Sequence, residues 1–377
     1  MHDIYGLSPQ PQNENPGAHS FYTWMKYSWF RCSRVNIKEI IKALPKAEQH
    51  VHIVGATRPE TLLWLAEEAR IKKPYKTVKG ARRFFQYRDF PHFISVYSMI
   101  VDCITKEDQF DRITYELLED DAHCNVHYVE ASFSAPDHVR RGLDYSLMLD
   151  AINKGVHHAR RDFGIECNLR VDLVRNYGPD NGMEVLNWIK NKSDNVVSVD
   201  IGGSEERFPP KPFAPIYAKA KQMGLHLVAH AGEAAGPQSI WDAVKYLKAE
   251  HVGHGIAASH DPNLMDYLAQ RSIVIETCPI SNLRTGVVSS LEQHPVRTFL
   301  ERGLTVTVST DDPSMFDTDM NNEYLQLCKK LKFTVPELFK LSLNAVDSSF
   351  LPEIQRINMH ESFKEKYQHL TGTRYKL

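Results

Sequence analysis

Residues 48–56 read EQHVHIVGA, a mostly apolar run with histidines at alternate positions. In an extended strand alternate side chains share a face, so His50, His52 and Val54 are expected to point the same way. Two imidazoles on one face suggest a metal site. The next residues change period. Thr57 to Glu60 spells T-x-x-E, a capping-box signature, and Leu62, Leu65, Ala66 and Ala69 then recur at helical spacing.

This strand-then-helix unit repeats along the chain. Runs at 48–54, 125–133, 166–174, 196–201, 225–231, 251–254, 272–277 and 304–310 make eight candidate strands. Helical patterns lie between them, such as Ile240, Val244 and Leu247, and Gly224 and Gly303 stand where two helices should stop just before strands. Eight alternating units predict an α/β fold, a (β/α)8 barrel of the TIM type, ahead of a doubly wound open sheet. About seventy residues separate the first two candidate strands, too many for a single crossover. Extra helices over the barrel mouth are therefore expected there.

Residues 41–377 are read as the barrel domain and residues 1–40 as an N-terminal extension packing on it. The extension's aromatic stretch FYTWMKYSWFRCS (21–33) contains Lys26 and Arg31 and is too short and too charged to cross a bilayer. Its expected roles are covering the barrel base or forming the contact of a homo-oligomer. No charged region followed by an apolar core marks a signal peptide. The chain has 377 residues, 42% hydrophobic and 24% charged, with a net charge of −2. That balance fits a soluble enzyme and argues against a nucleic-acid or acidic-membrane partner. Six scattered cysteines (Cys32, Cys103, Cys124, Cys167, Cys278 and Cys328) include no C-x-x-C pair. They read as reduced thiols of a cytoplasmic protein.

In such a barrel, chemistry gathers at the C-terminal strand ends. His50 and His52 stand near the end of the first candidate strand, His230 of the fifth and His254 of the sixth, and Asp311 follows the eighth. Imidazoles with a carboxylate suit Zn²⁺ or another borderline divalent ion, which would activate water at neutral pH. In H-A-G-E (230–233), Glu233 lies three residues beyond a candidate ligand, placed to move protons. Each piece also has a plainer reading. An H-x-H pair can be packing, His254 a structural histidine, Asp311–Asp312–Pro313 a turn, and Glu233 a helix N-terminal carboxylate. Their joint placement at successive strand ends favours the site.

The stretches LPKAEQHVHIVGA (44–56), VDIGGSE (199–205), HAGEAAGP (230–237), HVGHG (251–255) and STDDPSMF (309–316) together resemble the adenosine deaminase family, within the metal-dependent amidohydrolases. The resemblance runs from about residue 40 to the C-terminus. It implies that His50, His52, His230 and Asp311 bind one zinc ion per chain. Glu233 would protonate N1 of a purine as water attacks C6, and His254 would orient that water, with Asp311 assisting. Asp312 would bind N7, and the Gly203 N–H would meet N3. Ammonia would be released from a small-molecule adenine nucleoside.

One position departs from the family pattern. The family commonly reads H-x-H-L-D-G, with the Asp contacting the ribose 5′-hydroxyl, whereas this chain has Val54. A valine cannot accept that hydrogen bond. The departure implies a nucleoside without a free 5′-hydroxyl, such as 6-amino-6-deoxyfutalosine or methylthioadenosine, with adenosine itself as the alternative. Phe90 and Phe93 in DFPHFISVY are expected either to lid the nucleoside or to form helix core. Two other classes remain open at this stage. A binuclear amidohydrolase usually needs a bridging carboxylated lysine, and no candidate strand ends in Lys. A non-catalytic binding protein should have lost a ligand or Glu233.

Overall fold

A computed structural model of the chain describes residues 36–72, 75–87 and 90–375, with residues 90 and 91 described by backbone only. The expectations for residues 21–33 and for Cys32 lie outside these residues. So does the side chain of Phe90.

Eight parallel strands form one sheet in chain order: β1 (Lys46–His52), β2 (Val126–Phe133), β3 (Glu166–Val174), β4 (Val196–Gly202), β5 (His226–Ala231), β6 (His251–His254), β7 (Val274–Thr277) and β8 (Thr305–Val308). The sheet closes on itself where Val51 bridges Asp311 in parallel register. The His52 N–H donates to the Asp311 carbonyl at 2.7 Å, and the Asp311 N–H donates to the His50 carbonyl at 3.0 Å. The fold is therefore the expected (β/α)8 barrel. Every candidate run begins and ends within two residues of an observed strand.

Two local expectations are corrected. β1 starts at Lys46 and stops at His52, so Val54 is not a strand residue on the histidine face. The chain turns at once: the Ala56 N–H donates to the His52 carbonyl and the Thr57 N–H to the Val54 carbonyl. Val54 is buried in the core within this turn. The Thr57–Glu60 capping box does not form either. The helix Pro59–Glu68 is entered through Arg58 with no side-chain cap, and the buried Thr57 hydroxyl has no partner.

Among the described residues, four helices fill the interval between β1 and β2: Pro59–Glu68, Val78–Phe84, Phe90–Cys103 and Gln109–His123. Phe93, on the third, stacks on Phe316 with centroids 5.1 Å apart, and Tyr87 meets Phe316 at 6.0 Å. Phe316 ends a short helix that begins at Pro313, directly after Asp311 and Asp312. The Phe90–Cys103 helix is thus packed onto the segment that follows β8. At the other end of the barrel, the buried Lys46 ammonium donates to the carbonyls of Ile41, Leu44 and Cys124 at 2.6–2.8 Å. Burial pushes its pKa down to about 7. This lysine secures the start of β1, at the opposite end of that strand from His50 and His52. The five described cysteines are free. Among the described residues no helix is long and apolar enough to cross a membrane.

Candidate active site

The C-terminal ends of β1, β5 and β8 bring His50, His52, His230 and Asp311 together. One ligand atom from each lies within 4.8 Å of the others. Asp311 Oδ1 is 3.5 Å from His50 Nε2 and 3.3 Å from His52 Nε2. Behind the rings stands a layer of carboxylates. His50 Nδ1 meets Glu276 at 3.1 Å, His230 Nδ1 meets Asp200 at 3.1 Å, and His52 Nδ1 is 3.5 Å from Asp172. A carboxylate on Nδ1 fixes the tautomer that leaves Nε2 free as a ligand. His50 Nε2 is buried with no hydrogen-bond partner, a costly state for a ring nitrogen without an ion to face.

The charge balance also fits a cation. Burial disfavours charge on His50, but the carboxylates of Asp311, 3.5 Å from Nε2, and of Glu276, at Nδ1, win and push the pKa up to about 9. His52 is raised likewise, against burial, by Asp172 and Asp311. Burial opposes ionisation of Asp311, yet the adjacent His50 and His52 rings outweigh it and hold the carboxyl well below its ordinary range. The pocket demands positive charge, which a divalent ion supplies in place of protons. The donor set of imidazoles and one carboxylate is that of zinc and its borderline neighbours.

Glu233 and His254 adjoin this cluster, with His254 Nε2 3.7 Å from Glu233 Oε2 and 4.0 Å from Asp311 Oδ2. Burial, and then the charges of Asp311 and Glu205, push the Glu233 carboxyl well above its ordinary range, which favours its protonated form. Burial, with His50 and His230 nearby, keeps His254 neutral. His254 and Asp311 both adopt left-handed backbone, with φ of 60° and 66°. Each such non-glycine residue costs of order 1–3 kcal/mol, a strain concentrated at functional sites.

Glu233 is not a helix N-terminal residue. It lies in a bend between β5 and the helix Pro237–Asp242. The bend turns at Gly232, φ 73°, where a Cβ would strike Ile240 at 2.4 Å. Glu205 holds it: its carboxylate accepts the Gly232 N–H and those of Glu233 (3.1 Å), Ala234 (2.9 Å) and Ala235 (3.1 Å).

Asp312 Oδ1 is buried and has no partner. Burial, reinforced by the Asp311 charge, pushes this carboxyl up to about 8. Its carboxyl fits only because residue 55 is glycine: a Cβ there would lie 1.6 Å from Asp312 Oδ1. Gly203 follows the end of β4 with φ 101°, its α-carbon against the Asn176 side chain. The predicted site residues therefore converge on one end of the barrel, and Val54 and Gly55 occupy the turn that meets Asp312.

Sequence reading did not assign Glu276, Asp172, Asp200, Glu205, Asn282 or His294. Glu276 and Asp200 carried a usable signal, since each is the one acid in its strand run, whereas Asp172 shares its run with Glu166, Asn168 and Arg170. Buried carboxylates need partners.

The comparisons agree with this geometry. The family model described as adenosine deaminase matches residues 45–366. An aminodeoxyfutalosine deaminase of Streptomyces coelicolor is 36% identical over 84% of this chain and 82% of its own length. An adenine deaminase of Acinetobacter baylyi is 30% identical over 88% of this chain and the whole of its own. Among solved structures, adenine deaminase from Arthrobacter aurescens has a TM-score of 0.82 at 29% identity, covering 85% of this chain and 98% of that one. An amidohydrolase from Burkholderia ambifaria with bound Zn also gives 0.82, at 27% identity over 89% and 93% of the two chains. A barrel carrying this site, matched over nearly all its described length, belongs to the adenosine deaminase family and is a hydrolytic deaminase of adenine-type compounds.

Proposed function

We propose that the protein removes the C6 amino group of an adenine nucleoside modified at its 5′ position, with aminodeoxyfutalosine the foremost candidate. Val54 carries this reading. The family resemblance puts a carboxylate for the ribose 5′-hydroxyl at that position, and here a buried apolar side chain replaces it. The 36% identity to a protein named aminodeoxyfutalosine deaminase supports the same substrate.

His50, His52, His230 and Asp311 would hold one zinc ion, which supplies a Lewis acid that makes water nucleophilic at neutral pH. Water adds to C6 and ammonia leaves. Glu233 starts protonated and gives its proton to ring N1 as C6 becomes tetrahedral, which neutralises charge developing on the ring. His254, beside Glu233 and Asp311, orients the attacking water. Asp312 Oδ1, buried and unpartnered, binds N7 through the proton that its raised pKa retains. The Gly203 N–H meets N3.

The names of several relatives favour a second substrate, free adenine. Ammonia release by the zinc-loaded protein, measured with 6-amino-6-deoxyfutalosine, methylthioadenosine, adenosine and adenine, separates them. A kcat/KM highest for a 5′-modified nucleoside is expected. A clear preference for adenosine or adenine would reject the Val54 argument while leaving the reaction class in place. Glu233→Gln is the control, expected to retain zinc and lose turnover.

A further inference from the structure

His254 is the first member of a buried hydrogen-bond chain leading away from the reaction centre. Its Nδ1 lies 3.1 Å from the side-chain nitrogen of Asn282, on the helix Pro279–Arg284 that follows β7. Asn282 Oδ1 lies 3.2 Å from His294 Nε2. His294 Nδ1 accepts the backbone N–H of Val296 at 3.2 Å, where the helix Val296–Glu301 begins. His254, Asn282 and His294 are 1%, 0% and 3% exposed, so the chain is closed to bulk solvent.

The direction of every bond in this chain follows from one group. A backbone N–H can only donate, so His294 Nδ1 presents its lone pair to Val296. The proton of the neutral ring is then on Nε2 and is donated to Asn282 Oδ1. The Asn282 amide must turn its NH₂ towards His254, whose Nδ1 can only accept it. The remaining proton of a neutral His254 is therefore on Nε2, the nitrogen that faces Glu233 and Asp311.

We propose that Asn282 and His294 are positioning residues that lock His254 in its Nε2–H tautomer, so that it offers the attacking water a hydrogen-bond donor and does not act as a base. The inference rests on the reading of His254 as the residue facing that water. It goes beyond that reading by giving the direction of the proton and the groups that set it. Two consequences follow for the reaction. The proton lost by water on addition to C6 goes to Glu233 once N1 has taken the first one, because His254 has no lone pair to receive it. His254 instead stabilises negative charge on the incoming oxygen, as a fixed donor does in an oxyanion site. His294 suits this task because burial alone lowers its pKa to about 3, which keeps it neutral and its polarity constant across the working pH range.

Asn282→Asp tests the chain with almost no change of shape. A carboxylate at 282 accepts from both imidazoles, so His254 must put its proton on Nδ1 and turn a lone pair to the reaction centre. The tautomer is read directly by ¹⁵N NMR of histidine-labelled, zinc-loaded protein, with the His254 signals assigned by their loss in His254→Ala. Wild type is expected to show a protonated Nε2 and a lone-pair Nδ1 at His254, and Asn282→Asp the reverse. The same variant is expected to lose kcat about 100-fold, the scale of removing one oxyanion donor, with KM within about threefold. Should Asn282→Asp fail to fold, His294→Gln and His294→Phe replace it. Glutamine keeps a donor for Asn282 and should retain the wild-type tautomer and most of kcat, whereas phenylalanine should lose both. A wild-type His254 protonated on Nδ1 would overturn the proposal, and so would a reversed tautomer that leaves kcat unchanged. If the wild type deaminates no adenine compound, the functional reading fails while the NMR result still decides the tautomer.

Discussion

Glu205 offers the most direct test of how the fold positions Glu233. Its carboxylate gathers four consecutive backbone N–H groups, from Gly232 to Ala235. It is only 6% exposed. Oε2 takes three of those donors and Oε1 takes the Gly232 N–H. In Glu205→Gln, the amide oxygen can keep the threefold side, but the NH₂ then faces the Gly232 N–H, donor against donor. That loses one charge-assisted bond and weakens three others. Bonds to a charged acceptor contribute about 1.5–3 kcal/mol each, and full loss of one sets the scale at about 3 kcal/mol of stability. With an unfolding entropy near 2.1 cal/mol/K per residue, that is about 4 °C in Tm for a chain of this length. The catalytic effect should be larger than the stability effect implies. Glu233 is one residue from the disturbed contact, and a displacement of about 1 Å at a proton donor costs on the order of 100-fold. We expect kcat/KM to fall about 100-fold, Tm by about 4 °C, and zinc content to stay at wild-type level, because Asp200 and not Glu205 supports His230. Steady-state kinetics, calorimetry and metal analysis on the same preparation provide the check. A folded Glu205→Gln protein with kcat/KM within threefold of wild type would refute the view that Glu205 sets the bend carrying Glu233.

Three further outcomes follow from the same geometry. Asp200→Asn removes the charge behind His230 Nδ1 and should weaken zinc binding about 10- to 100-fold in a chelator competition; unchanged affinity would remove Asp200 from the site. Zinc binding should also weaken as pH falls. With the His50 pKa up at about 9, the ion must displace a proton at any lower pH, so displacement at His50 alone should drop apparent affinity about 50-fold from pH 9 to pH 7. A flat profile in competition titrations would show that His50 is not protonated in the metal-free protein. Gly55→Ala places a methyl group 1.6 Å from Asp312 Oδ1 and must push that carboxyl aside. It should cost about 100-fold in kcat/KM with zinc retained, and an unaffected enzyme would show that Asp312 does not bind substrate where the structure puts it.

The barrel and its ligands were legible because their signals are local. A short β-branched run followed by a helical period specifies each unit, and histidines at strand ends are chemically unusual wherever they occur. The carboxylates behind the histidines were not legible as partners. Asp172, Asp200 and Glu276 belong to strands far in sequence from the rings they hold, apart from Asp200 and His230 on adjacent β4 and β5. An acid in an apolar strand announces that it has a partner without saying which. The start of β1 was misplaced for a related reason. Lys46 looks like a boundary until three carbonyls from separate segments are brought around its ammonium.

The two T-x-x-E segments show how far local signatures reach. Thr57–Arg58–Pro59–Glu60 and Thr334–Val335–Pro336–Glu337 differ only at their second residue, yet only the second forms a capping box. A capping box requires that the cap residue's own N–H be free to donate to the glutamate. At Thr334 it is free, and the Glu337 carboxylate accepts it at 2.7 Å. At Thr57 it is already committed, donated at 3.1 Å to the Val54 carbonyl in the turn that carries the chain off β1. The turn therefore takes the donor and the helix starts one residue later. It also contains Val54 and sets Gly55 against Asp312, so a failed helix cap and the position on which the proposed substrate preference rests have one structural origin. The place of Val54 in this turn is a consequence of how β1 ends, which alternation along the strand could not have shown.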